Sequence, residues 1–395
     1  MIGKFRRRAM IVVLSLTWSL MMSPALAACA ANPSSPTPGP QGEATHRADP
    51  PEDHSGHRLS PWHTAPAVPR LSPGPAKPVI YLVARDRATS WLVPLTVAAG
   101  SLGAPGSTSN SGNDGPYPAL QALKMLLSWP RNDFVNTPAS PGLSIKNLTV
   151  KDRMATLDLS LGSSSSFEPA RENLLIRSLV LTLTEDPSVD RVQILVDGKC
   201  VPTLFGQADI SAPLSRPPFI NLSGFGLGDK SNGAFLPEGS IPLVLWFGDP
   251  QATYMVPVTR YVPKTPGTVM AMLEQLRRPE AGLGRVLPDG TEVRGATVKD
   301  RTVTVDFSDE LRRKHWGGTT GESQTINGII YSLAGLPGIR KVNILIEGRP
   351  EQSIAGHVIL EPRERGPVNQ IRLEDLPYYR NLNQNDRSPP GPVAH

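Results

Sequence analysis

The residues best equipped for chemistry are one cysteine, four carboxylates and a group of histidines. Cys29 follows Leu26-Ala27-Ala28, and its thiol could form a thioether. Asp158 and Asp306 stand at matching places in two related segments, as do Glu172 and Glu322. An acid pair held across a strand end and a helix start is the equipment of glycosidic hydrolysis. His46, His54, His57 and His63 cluster near the N-terminus, with His54 and His57 close enough to suggest a metal. Each group has a plainer reading. The aspartates alternate outward on a hairpin strand, and the glutamates suit the positive end of a helix. The histidines have no carboxylate or thiol companions in a ligand pattern and read as solvated.

A catalytic triad cannot be assembled from what remains. Outside the N-terminal stretch the histidines are His315, His357 and His395. There is no Gly-x-Ser-x-Gly, no Gly-Lys-[Ser/Thr] phosphate loop and no Cys-x-x-Cys. Trp62, Trp91, Trp246 and Trp316 do not form a regularly spaced stacking series. The carboxylates recur because a residue that builds a fold is needed in every copy of it. The sequence therefore assigns no catalytic residue, no metal and no cofactor, and a hydrolase is the weakest of the readings.

The elements that position these residues begin with a leader. Lys4, Arg6, Arg7 and Arg8 precede an apolar run from Ala9 to Leu20, which is too short to span a bilayer, since a span takes about 20 residues. Leu26-Ala27-Ala28-Cys29 resembles the lipobox of bacterial lipoproteins. That resemblance implies cleavage after Ala28 and acylation of Cys29, with residues 1–28 as signal peptide. Two or three acyl chains anchor firmly, because each buried methylene is worth roughly 0.8 kcal/mol. The expected location is the outer face of the cytoplasmic membrane. An acylated Cys29 also leaves Cys200, the only other cysteine, without an intrachain bridge; it reads as a small buried hydrophobe.

Residues 29–77 read as a Pro-rich tether, and residues 371–395 as a polar, Pro-rich tail. Charge adds little about partners. The formal net charge is +5, but removing the four leader cations from 40 leaves 36 basic against 35 acidic residues. Nucleic acid is excluded on this ground.

The central feature is an internal repeat. Val150-Lys151-Asp152-Arg153 and Thr156-Leu157-Asp158-Leu159-Ser160 return as Val298-Lys299-Asp300-Arg301 and Thr304-Val305-Asp306-Phe307-Ser308, at an offset of 148. Arg191 to Gly198 returns as Lys341 to Gly348, and Val93-Pro94-Leu95-Thr96 as Val256-Pro257-Val258-Thr259. The extra length of the first copy falls in the Gly/Ser/Asn-rich run from Ser101 to Gly115.

Each copy predicts short strands at 79–83 and 91–97, or 243–247 and 254–262, the second with an internal proline that suggests an edge. Helices are expected at 118–129 and 266–278. The Lys-Asp-Arg block predicts a hairpin, with Lys-Asp or Asp-Arg as its turn. Ala155, Leu157 and Leu159, or Val303, Val305 and Phe307, face inward. A second helix carries Ile176, Leu179, Val180 and Leu183, or Ile326, Ile329, Ile330 and Leu333, on one face. Thr319 with Glu322, and Ser165 with Glu168, have capping-box spacing. The fold class is α+β: two tandem small domains, each a mostly antiparallel sheet with two helices on one face. The boundaries are 78–221 and 241–370, joined by a linker at 222–240 within a Gly/Pro-rich stretch.

These motifs resemble the GerM family of sporulation and germination proteins, whose repeated unit is the GerMN domain. The resemblance rests on the Val-Lys-Asp-Arg…Asp-[Leu/Phe]-Ser hairpin, the helix after it and the Val-x-Ile-Leu-[Val/Ile]-[Asp/Glu]-Gly strand. It implies a ring-building-motif-like fold without catalysis. It also implies a membrane lipoprotein that assists the channel between mother cell and forespore. Its partners would be envelope or sporulation-channel proteins, further copies of itself and, through the lipid, the membrane. The alternative is a lipoprotein receptor that binds cell-wall polymer or a small ligand between the two domains.

Overall fold

The computed structural model describes residues 67–71, 77–84, 90–98, 117–130, 134–162, 171–223 and 239–372. Cys29, the signal peptide, the tether histidines, Ser165 with Glu168, the run from Ser101 to Gly115 and the tail beyond Arg372 lie outside the described residues.

The first copy runs β1 (Val79–Ala84), β2 (Leu92–Val97), α1 (Tyr117–Leu127), β3 (Val135–Asn136), β4 (Leu143–Lys151), β5 (Met154–Leu161), α2 (Glu172–Leu183), β6 (Arg191–Val196) and β7 (Leu214–Ser215). The second runs β8 (Ser240–Gly248), β9 (Met255–Pro263), α3 (Thr268–Leu276), β10 (Val293–Lys299), β11 (Thr302–Phe307), α4 (Glu310–Arg313), α5 (Thr319–Leu333), β12 (Lys341–Ile346), β13 (Arg363–Glu364) and β14 (Gln370–Ile371). The class is α+β with mostly antiparallel pairing, as the repeat pattern implies.

Each copy divides its strands between two sheets. The hairpin strands build β4-β5-β6-β7 and β10-β11-β12-β13. Within them β5 pairs parallel with β6, and β11 with β12, through the crossover helices α2 and α5. Alternation decides the buried face: Ala155, Leu157, Leu159, Val303, Val305 and Phe307 are all fully buried. The eight aliphatic residues read as the core stripe of α2 and α5 are no more than 2% exposed.

The first two strands of each copy form a separate antiparallel ribbon, β1 with β2 and β8 with β9. The crossover helix is stitched to this ribbon by hydroxyls. Thr182 Oγ1 accepts the N–H of Tyr81 at 3.2 Å, and Ser332 Oγ accepts that of Trp246 at 3.0 Å. At Gly328 of α5 a Cβ would come within 2.7 Å of Val286 and 3.0 Å of the Trp246 carbonyl, so only glycine allows this approach.

The copies interlock. Strand β14, from the end of the second copy, pairs parallel with Thr96 and Val97 of β2 in the first. The equivalent stretch of the first copy reaches β9 of the second, where Leu222 bridges Thr259. The sequence links the copies through their connecting segment; the structure adds this reciprocal exchange. It also revises the position of Pro94. Strand β2 is interior, in the order β14-β2-β1-β3, and its proline sits where the other copy approaches.

Candidate functional site

The repeated carboxylates hold backbone in place. Glu172, fully buried at the start of α2, accepts the N–H groups of Leu204 and Phe205 on one oxygen and of Gln207 on the other, at 2.7–3.0 Å. Glu322 does the same for Ile354, Ala355, His357 and Val358 at 2.7–3.1 Å. Burial pushes the Glu322 carboxyl up, but those four N–H groups outweigh it and hold the pKa below the usual value. The capping-box expectation for Thr319 and Glu322 is corrected. Gly318 is the cap and has no side-chain bond, and the Glu322 carboxylate spans to a loop over 30 residues further on.

Asp158 and Asp306 close the turns that follow β6 and β12. Asp158 Oδ1 accepts the Gly198 N–H at 2.8 Å, and Asp306 Oδ1 that of Gly348 at 2.7 Å. The hairpin turn is Asp-Arg in both copies. Asp152 and Arg153 have φ of 51° and 60°, and Asp300 and Arg301 have 50° and 60°, the double left-handed conformation of a type I′ turn. The turn carbonyls then receive the next strand: Arg153 O accepts Asp190 N at 2.8 Å, and Arg301 O accepts Arg340 N at 2.7 Å. Asp158 and Glu172 therefore serve separate segments, and so do Asp306 and Glu322.

The junction between the copies is where polar groups and open space converge. Asn221 is fully buried. Its amide nitrogen donates to the carbonyls of Leu92 at 2.8 Å and Pro257 at 2.7 Å, and its oxygen accepts the Leu92 N–H at 2.8 Å. Asn369 mirrors it, donating to Met255 and Pro94 and accepting from Met255, each at 2.8 Å. Leu92 is thus placed opposite Pro257, and Pro94 opposite Met255, so β2 and β9 run antiparallel with Val93 and Val256 between the two asparagines.

Beside these valines opens a cavity of about 250 Å³. Its walls come from both copies: Ala84, Trp91, Val93 and Phe134 from the first, and Asp249, Gln251, Tyr254, Val256 and Leu283 from the second. Tyr254 stands where Trp91 stands in the first copy, and its ring meets Phe134 edge-on at 6.5 Å. Burial, and then the charge of Asp249, raise the Tyr254 pKa. Trp91 is 6% exposed, and its indole N–H has no hydrogen-bond partner among the described residues. The tryptophans show no regular spacing in sequence, and this gathering of aromatic rings is made by the fold alone.

A family profile described as "Germane: Sporulation and spore germination" matches residues 105–201 and 244–352, just over half of the chain. The chain belongs to the Germane family. It is a GerM-like protein with two GerMN domains, one in each copy, related to sporulation and germination. It is 25% identical over 230 residues to the spore germination protein GerM of Bacillus subtilis (strain 168), covering 54% of this chain and 59% of that one. The solved tandem GerMN domains of the sporulation protein GerM from Bacillus subtilis share its fold, with a TM-score of 0.53 and 22% identity over 74% of this chain and 97% of the other.

The remaining candidates of this Germane chain sit apart from the junction. His315 stacks on Trp316 at 4.7 Å, its Nδ1 accepts the Gly317 N–H at 3.0 Å and its Nε2 meets Thr325 Oγ1 at 3.1 Å. Burial lowers its pKa, and an accepting Nδ1 likewise suits the neutral ring. His357 contributes its backbone N–H to Glu322. Cys200 differs from its sequence reading: it is half-buried after β6, and it is disulfide-bonded rather than a free thiol.

The asparagines are the functional residues that sequence reasoning passes over. They recur at an offset of 148, like the hairpin, and that recurrence of a short polar residue beside apolar neighbours is the signal that could have found them.

Proposed function

We propose that this protein is a lipid-anchored, extracytoplasmic scaffold of sporulation or germination that binds other envelope proteins and carries out no catalysis. The observation that supports this most directly is the repeated outer strand. Strands β4 and β10 end their sheets, so in each copy one side of this strand pairs with no other strand among the described residues. Along β10 only alternate groups pair with β11, and Val298 stands 55% exposed at its tip. Such an edge accepts a strand from a partner. The repeated carboxylates, by contrast, are spent on loops and turns. The lipid at Cys29 would confine the protein to a surface and raise its effective concentration there, so two weak edges suffice. In this reading the channel linking mother cell and forespore is the assembly served.

A photo-crosslinking residue at Val298, and another at Thr149 on β4, tests the edges in cells. The expected result is a defined envelope protein linked at one or both positions, lost when β10 is broken by Thr297→Pro. No crosslink from either edge in cells that depend on the protein would overturn the reading.

A receptor is the second reading, and the cavity shared by the two copies favours it. Its volume of about 250 Å³ is below the roughly 300–1,000 Å³ of most ligand sites, so it has room for a ring and not for a polymer.

A further inference from the structure

The Lys-Asp-Arg turns of the two hairpins lie at one end of the body, joined by a path of contacts. In the first copy Asp190, just before β6, accepts the Arg153 guanidinium of the turn at 2.7 Å and that of Arg70 at 3.2 Å. The Arg70 carbonyl accepts the Arg365 guanidinium of the second copy at 3.3 Å. Arg365 directly follows β13, whose Glu364 pairs with Lys341 and accepts the Arg340 guanidinium at 2.9 Å. The backbone N–H groups of Arg340 and Lys341 end the path on the Arg301 carbonyl of the second turn.

Residues 67–71 are fastened to the same end by buried groups. Arg216 and Glu185 form a buried ion pair. Arg216 donates to the carbonyls of Val68 at 2.8 Å and Pro69 at 3.0 Å, and Glu185 accepts the Leu71 N–H at 2.7 Å. Gly335 stands in place of Glu185 in the second copy, so this clasp belongs to the first alone. The chain that comes from Cys29 therefore enters the body at the face that holds both turns.

Positive charge is concentrated on this face. Lys151, Arg191, Lys299, Arg301 and Lys341 are exposed and make no ion pair among the described residues. With Arg70, Arg153, Arg340, Arg363 and Arg365 the face carries ten cations. Its anions are five: Asp152, Asp186, Asp190, Asp300 and Glu364. Setting both groups aside from the 36 basic and 35 acidic residues beyond the leader leaves 26 basic against 30 acidic. A chain that is nearly neutral as a whole thus holds an excess of positive charge at one end and of negative charge elsewhere.

We propose that this face docks on the anionic headgroups of the membrane that holds Cys29. The lipid-anchored reading supplies that membrane, and the proposal rests on it. Each Lys or Arg beside an anionic leaflet raises partition by about fivefold. The attraction fades beyond a Debye length of about 8 Å at physiological salt, so only a face brought close gains from it. A chain that enters the body at this face, anchored at its other end, brings it close. A soluble wall polymer carries the same phosphate chemistry, but the chain does not deliver it to this end of the body. The turns meet the leaflet end-on, which leaves the outer edges of β4 and β10 to protein partners.

The test uses the mature chain with Cys29→Ser, so that no acyl chain contributes and a failed anchor is not mistaken for a failed face. Sedimentation with vesicles of phosphatidylglycerol and phosphatidylcholine measures binding, with phosphatidylcholine alone as the reference. The expected result is partition into the anionic vesicles only, abolished in about 1 M salt, where the Debye length falls to about 3 Å. Lys151→Gln, Arg191→Gln, Lys299→Gln and Lys341→Gln together should lower that partition by at least about tenfold. All four side chains are exposed, so the thermal midpoint should not move. Lys199→Gln with Arg349→Gln, beyond the opposite ends of β6 and β12, should change partition by less than about twofold. No binding to anionic vesicles overturns the proposal, as does equal binding to both kinds of vesicle or an equal loss in the two variants. Binding to soluble polyglycerol phosphate without binding to vesicles also overturns it and assigns the face to a wall polymer.

Discussion

Asn221 and Asn369 are equivalent residues of the two copies, and each joins a backbone carbonyl of its own side to one of the other through a single side-chain amide. The amides stand where the facing strands cannot bond each other directly, because Pro94 and Pro257 have no N–H to give. The junction is therefore a pair of polar rivets flanking an apolar centre at Val93 and Val256, and both rivets come from the exchanged segments.

Removing a rivet strands the groups it satisfied. Asn221→Ala leaves two carbonyls and one N–H buried without partners and should cost about 2–4 kcal/mol. Asn369→Ala should cost less, because Asn369 is only half-buried. Urea unfolding followed by far-UV circular dichroism measures both. The double variant should depart from additivity, since both residues act on the same strand pair. Single losses below about 0.5 kcal/mol would show that the amides do not carry the junction.

The repeat, the hairpins and the helix faces were legible because each is written locally: alternation along β5 and β11, and aliphatic residues on one stripe of α2 and α5. The exchange between copies was not, because Asn221 and Asn369 lie in short segments without periodicity and their partners are 36 to 275 residues away. Glu322 shows the same limit in miniature. Its spacing from Thr319 points to a local cap, yet its partners are 32 to 36 residues further on. Trp91 could be seen as an aromatic residue, but its place beside Phe134 and Tyr254 depends on the antiparallel meeting of β2 and β9.

The Glu322 carboxylate should make stability depend on pH in acid. Its folded pKa is depressed because four backbone N–H groups favour the ionised form despite burial. A group of this kind stabilises the fold above its unfolded pKa, near 4.3, and the contribution is lost as pH falls through the lower folded value. Unfolding free energy should therefore decline below about pH 4.5, and Glu322→Gln should flatten that decline while lowering stability at pH 7 by roughly 1–3 kcal/mol. Equal slopes for wild type and variant between pH 5 and 3 would remove Glu322 from the acid response.

The hairpin turns store backbone strain that can be relieved. Asp300 and Arg301 both hold left-handed φ, which glycine, asparagine and aspartate adopt most readily and which costs a residue such as Arg301 up to about 1–2 kcal/mol. The double substitution Asp300→Asn with Arg301→Gly should stabilise the protein by about 0.5–1 kcal/mol, since an Asn-Gly pair matches a type I′ turn. The Arg301 carbonyl that receives Arg340 and Lys341 is backbone and survives the change. In the first copy the gain from Asp152→Asn with Arg153→Gly should be smaller, because the Arg153 guanidinium is bonded to Asp190 and that pair would be lost. Thermal unfolding of the two turn variants compares them directly, and destabilisation of the second-copy variant would contradict the assignment.

Acylation of Cys29, as proposed, and a disulfide between the two cysteines of one chain exclude each other. Cys200 is disulfide-bonded rather than a free thiol, and the sequence has only one other cysteine, Cys29. A thioether at Cys29 withdraws that sulfur from disulfide chemistry. In an acylated chain, any disulfide at Cys200 must therefore run to another molecule. If Cys200 keeps its disulfide in an acylated chain, membrane extracts resolved without reductant should show a disulfide-linked species, collapsing to the monomer with reductant or with Cys200→Ser. Cys29→Ser should abolish acylation, measured by mass spectrometry of the mature N-terminus, without removing Cys200 from intermolecular pairing. A mature chain that begins at a residue other than modified Cys29 would overturn the lipid anchor. An acylated chain that migrates as a monomer without reductant would show that Cys200 is reduced once Cys29 carries its lipid.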